Sequence, residues 1–100
     1  MERPLIFVSN DDSIEARGVH ELIDHLLPFG DILCVCPESP QSGMSMAITV
    51  NHPLRIKKLE DYKGARMYKV NGTPVDCVKL GIDALAERKP DLVVSGINHG

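Results

Sequence analysis

The sequence predicts an α/β fold, a mostly parallel sheet with helices on its faces. Short apolar runs, at 4–9, 31–36 and 91–95, are each followed at once by polar, Gly- or Pro-containing loops. Between them lie segments with helical rather than alternating periodicity. Buried parallel strands read as continuous apolar runs, and strands alternating with helices make βαβ units.

The first run, Pro4-Leu5-Ile6-Phe7-Val8-Ser9, reads as a buried strand. A helix is predicted over 14–27. Its Val19, Leu22, Ile23, Leu26 and Leu27 fall on one face, and Pro28 and Gly30 stop it. A second strand follows over 31–36, ended by Pro37. The stretch 38–45 is loop. Residues 46–57 alternate loosely and read as a hairpin or edge excursion, because Pro53 excludes a central strand. A polar connection at 60–66 leads to a short strand at 67–70. Thr73 is a predicted N-cap with Pro74 as the first helical residue. In this second helix Val78, Ile82 and Leu85 form the buried stripe. Gly81 is locally unfavourable there, by roughly 1 kcal/mol against Ala, which close approach to the sheet would explain. Lys89-Pro90 ends the helix, and 91–95 is read as another buried strand. Since a helix would normally follow that strand, the 100 residues are expected to be a fragment of a larger fold.

Composition narrows the function. Hydrophobic residues make up 43%, enough for a core, and charged residues 25%. The net charge of -3 and the lack of a basic stripe argue against a nucleic-acid polymer as partner. No apolar segment approaches the roughly 20 residues a membrane span needs, and no signal-peptide pattern opens the chain. Cys34, Cys36 and Cys77 have no CxxC spacing. Buried, reduced thiols in a cytoplasmic protein are expected.

Asn10-Asp11-Asp12-Ser13 is the most informative stretch. It places two adjacent carboxylates at the carboxyl end of a strand, where open α/β sheets bind ligands. Close carboxylates repel and resist desolvation, and a divalent cation relieves both. A solvated turn or helix cap explains the same four residues equally well. Two further loops leave the same predicted edge, one with Ser39, Ser42, Gly43 and Ser45, the other with Ser95, Gly96, Asn98 and Gly100. Two carboxylates, a hydroxyl and an amide oxygen make an incomplete oxygen set for Mg²⁺ or Mn²⁺. His99 is read as a solvated loop residue, and Asp76 as a carboxylate favoured in a first helical turn.

Four motifs in order, N-D-D-S, P-E-S-P-Q-S-G-M-S, G-T-P-V-D-C-V and V-S-G-I-N-H-G, resemble the amino-terminal part of the SurE family, the survival-protein 5′-nucleotidases. The likeness spans residues 5–100. It implies that 1–100 form the amino-terminal portion of a single Rossmann-like domain. It implies a divalent-metal-dependent hydrolase acting on nucleoside 5′-monophosphates, with the 3′-monophosphates as second candidates. By motif it assigns Asp11, Asp12, Ser42 and Asn98 to the metal, with one of the two Asp also acting as base. Asn10, Gly43, Ser45 and Thr73 are expected on the substrate side. A homo-oligomer, dimer or tetramer, is implied for the full-length protein. Two positions depart from the family pattern: Ser13 stands for a usual Gly, and Arg17 for a common Pro. These bear on entry-loop shape more than on the ligand types. The alternatives are a non-catalytic nucleotide- or metal-binding module and a receiver-like Mg²⁺-binding signalling domain. The latter lacks its phosphoacceptor, since Gly96 stands where that Asp would fall.

Overall fold

A computed structural model describes residues 3–10, 17–38 and 54–95. Five strands form one sheet: β1 (Leu5–Ser9), β2 (Asp31–Pro37), β3 (Ile56–Lys58), β4 (Arg66–Val70) and β5 (Leu92–Ser95). Two helices accompany them, α1 (Arg17–Leu26) and α2 (Pro74–Leu80). The spatial order is β3-β4-β2-β1-β5. β1 pairs parallel with β2 and with β5, β2 pairs parallel with β4, and β3 is antiparallel to β4.

The two faces of the sheet carry separate apolar clusters, and each has its helix. Ile6, Val8, Ile32, Cys34, Cys36 and Met67 face α1 and meet Val19 and Ile23. Leu5, Phe7, Leu33, Val35 and Val70 face α2 and meet Cys77. Alternate side chains of a strand point to opposite faces, so β1 and β2, apolar on both, need cover on both. The expected α/β class, with helices on both faces, is therefore what the chain forms. All three thiols are free and buried.

Most boundaries agree with the sequence reading, and the differences have physical causes. Helix α1 runs from Arg17, and a 3₁₀ turn at Leu27–Phe29 carries the chain past Pro28. Residues 11–16 lie outside the described set, as does most of the excursion read at 46–57. A hairpin joins β3 to β4, and its tip falls in the stretch read as polar connection. Lys63 and Gly64 both have positive φ, 51° and 91°. That is the signature of a two-residue hairpin turn matched to strand twist. The tip is held to α1, since Tyr62 donates its hydroxyl to Asp24 and Lys63 Nζ pairs with Asp24 at 3.0 Å. Strand β5 was expected to be buried but is not: Leu92 is 48% and Val93 49% exposed. It pairs only with β1 among the described strands, so one edge and much of its surface face outward.

The unfavourable Gly81 has its explanation. Helix α2 passes there into a π-helical turn, Gly81–Leu85. A Cβ at Gly81 would lie 2.2 Å from Phe7 Cε2 and 2.5 Å from Phe7 Cζ. Phe7 is fully buried and cannot yield. Gly81→Ala gains about 1 kcal/mol of helix propensity, while overpacking of this kind costs about 1–3 kcal/mol. We expect the variant to be less stable than the parent in urea melts, against the propensity trend.

The amino ends of the neighbouring strands β1 and β5 are tied together by Asp91. Its carboxylate accepts the Leu5 N–H at 2.7 Å and the Arg88 Nη1–H at 3.0 Å. These two donors, the backbone N–H first, hold its pKa below the ordinary 3.8. A depressed carboxylate stabilises the fold above its unfolded pKa and loses that contribution as pH falls through the folded value. Asp91→Asn should therefore flatten the stability loss below pH 3.8, measured as unfolding midpoint against pH.

Candidate functional site at the carboxyl edge

The four parallel strands, numbered in chain order, lie third, second, first, fourth. The chain leaves β1 for β2 on one side and later returns to place β5 on the other. That reversal is a topological switch point, where loops leave in opposite directions and open a crevice at the carboxyl ends. Here the switch lies between β1 and β5. Ser9 is in register with Ser95, so the two strands end side by side. β2 lies on the other flank of β1, about 4.8 Å away by ordinary strand spacing. It ends at Pro37, on the same edge.

Of the residues singled out in the sequence, Asn10 and Thr73 are described. Asp11, Asp12, Ser42, Gly43, Ser45 and Asn98 lie outside the described residues. Among the described residues no group of three His, Cys, Asp or Glu side chains is placed to hold a metal. Asn10 is 6% exposed, and its backbone N–H is directed at the Cys36 thiol. That thiol also meets Cys34 Sγ at 3.5 Å. The Cys34 contact, with burial, raises the Cys36 pKa and keeps it protonated. Burial likewise pushes the Cys77 thiol up to about 12. The thiols are therefore core groups, not nucleophiles.

Thr73 is the helix cap the sequence predicts, with one feature more. Its Oγ1 accepts the Asp76 N–H at 3.2 Å, while the Asp76 carboxylate accepts the Thr73 N–H at 2.9 Å. This reciprocal capping box uses Asp where Glu is usual. The hydroxyl also donates to Asp76 Oδ2 at 3.1 Å, so its one proton is engaged locally. Asp76 thus does more than face a helix dipole, and its spacing three after a Thr was the available signal.

Sequence reading passed over Ser9. Its Oγ is buried and has no hydrogen-bond partner among the described residues. A buried hydroxyl without a partner is costly, so one at the mouth of the switch point suits a water or ligand network there. A serine closing an otherwise apolar strand, one residue before two acids, was the clue. This hydroxyl and the oxygen-only side chains that follow fit a hard divalent cation rather than a thiophilic one.

The fold defines a doubly wound α/β domain with a topological switch point between β1 and β5. Residues 6–100 match the family model described as Survival protein SurE, and the chain belongs to the SurE family. A protein named 5′-nucleotidase SurE from Bacteroides thetaiotaomicron is 48% identical over 99 residues, covering 99% of this chain and 38% of its own length. The protein of the same name from Bacteroides fragilis is 50% identical, with 39% of its length covered. The crystal structure of the SurE protein from Aquifex aeolicus superimposes with a TM-score of 0.78 at 37% identity, covering 97% of this chain and 38% of that one. The chain thus spans about two fifths of the length of these relatives.

Losing the capping box should weaken α2 without moving the core. Thr73→Ala is expected to cost about 1 kcal/mol. Thr73→Ser should restore most of it, with both read from denaturant midpoints.

Proposed function

We propose that this chain supplies the metal- and phosphate-binding edge of a phosphomonoesterase that hydrolyses nucleoside 5′-monophosphates. The observation that supports the reading is the switch point between β1 and β5, where Ser9 and Ser95, the last residues before the two motifs, stand in register. Relatives named 5′-nucleotidase SurE support the substrate class. In this reading Asp11, Asp12, Ser42 and Asn98 hold Mg²⁺ or Mn²⁺. When bound, the cation offsets charge on the phosphoryl oxygens and lowers the pKa of a coordinated water.

The residues of the chain do the remainder. Either Asp11 or Asp12 accepts the proton of the attacking water at a carboxylate oxygen. Backbone N–H groups around Gly43, with the Ser45 hydroxyl, meet charge on the equatorial oxygens during in-line attack. Buried Asn10 fixes the root of the acidic loop. Thr73, its proton engaged in the cap, keeps the neighbouring edge loop in place. The activity is assigned to a protein of the relatives' length, and the 100 residues are proposed as the amino-terminal portion of that single domain. By themselves they are expected to turn over far more slowly.

Chelation should abolish phosphate release from nucleoside 5′-monophosphates, and Mg²⁺ or Mn²⁺ should restore it. Asp11→Asn should lower kcat by at least about a hundredfold, on the scale of losing a group that acts in the transition state. It should also remove the metal-induced rise in melting temperature, since that rise follows from binding to the folded state alone. Full turnover after exhaustive chelation, or an equal metal-induced shift in both proteins, would overturn the reading.

A further inference from the structure

The opposite edge of the sheet carries a cavity that the proposed reaction does not use. It measures about 140 Å³ and is lined by Arg3, Leu5, Asp31, Arg66, Glu87 and Arg88. Leu5, Asp31 and Arg66 are the first residues of β1, β2 and β4, which lie side by side, and Glu87 and Arg88 belong to the connection leading into β5. The cavity is therefore at the amino ends of the strands, across the sheet from the Asp11-Asp12 loop.

We propose that this cavity is a second anion site that takes a phosphate group, with free inorganic phosphate as its simplest ligand. Its lining holds three guanidinium groups against two carboxylates. Two of the guanidiniums are anchored. Arg3 Nη2 donates to the Leu27 and Gly30 carbonyls, and Arg88 donates to Asp91 and to the Arg3 carbonyl. Anchored guanidiniums are pre-organised, which lowers the ordering cost of binding.

Arg66 differs from them. Its side chain is 27% exposed, and its Nη1 pairs with Glu87 Oε1 at 3.0 Å. Its other N–H groups have no acceptor among the described residues. The Glu87 side chain is 79% exposed. An ion pair with so exposed a partner is weak, and water readily replaces protein as the solvent of that carboxylate. A phosphate group can then take the place of Glu87 and receive two parallel N–H bonds from the Arg66 fork. Asp31, 61% exposed and 3.8 Å from Arg3 Nε, is a second loosely held carboxylate at the rim. The inference rests on the cavity alone and does not depend on the proposed nucleotidase activity.

The test uses ¹⁵N-labelled protein in chelator, so that no metal can recruit phosphate to the carboxyl edge. Inorganic phosphate is titrated against chloride at matched ionic strength. A saturable response in the millimolar range is expected, with amide shifts at Arg3, Leu5, Arg66, Glu87 and Arg88. Arg66→Gln should weaken binding at least tenfold. Glu87→Gln removes the competing carboxylate and should tighten binding several-fold. Opposite signs in these two variants are beyond a general salt effect or a folding defect. A nucleoside 5′-monophosphate titrated in parallel tells free phosphate from phosphate carried on a nucleoside, and shifts at the same residues mean that the group itself is recognised. Absence of saturation with either ligand, shifts confined to Asn10 and Ser95, or an unchanged affinity in Glu87→Gln would each overturn the proposal.

Discussion

Strand β1 is paired on both sides and apolar on both faces, and the remaining architecture follows from that. A strand with no exposed face must be covered by α1 on one side and α2 on the other. A strand with no free edge must have neighbours reached by two crossovers, and here those crossovers leave in opposite directions. The same two requirements create the switch point at its carboxyl end. The core and the candidate site are thus consequences of one five-residue segment, Leu5–Ser9.

The two sheet edges divide their labour. At the amino edge, arginines and aspartates tie the strand starts and their flanks together: Asp91 to Leu5, Arg88 to Arg3, and Arg3 to Leu27 and Gly30, at either end of the 3₁₀ turn. At the carboxyl edge, Ser9 Oγ is buried and finds no partner among the described residues. Strand ends pinned on one side hold their register without help from the other.

What could be read in the sequence was what local pattern encodes. The buried strands, both helices, the Thr73 cap and the close approach at Gly81 all followed from spacing and residue type. The hairpin tip was missed because Lys63 is a poor witness for positive φ, and only Gly64 hinted at it. Its anchorage to Asp24 is long-range and has no local signature. The exposure of β5 was missed for a related reason. Leu92-Val93-Val94 reads as buried from composition, but burial is decided by what lies alongside, and among the described strands only β1 does. At the site, motif order pointed to the acidic loop, yet the switch point that pairs Ser9 with Ser95 is a property of topology. Pattern alone gives that three loops share an edge, not which two are adjacent.

The three buried thiols make the two layers of this molecule separately observable. Cys34 and Cys36 belong to the α1 face, and Cys77 to the α2 face. A thiol-specific reagent reaches each only when its own layer opens, because all three are fully shielded in the closed state. If the layers part together, the labelling of all three follows a common opening equilibrium. If α2 lifts from the sheet alone, Cys77 is modified first while the strand cysteines stay dark. The chain therefore carries, in residues with no evident chemistry, an internal clock for whether its two layers behave as one cooperative unit or two.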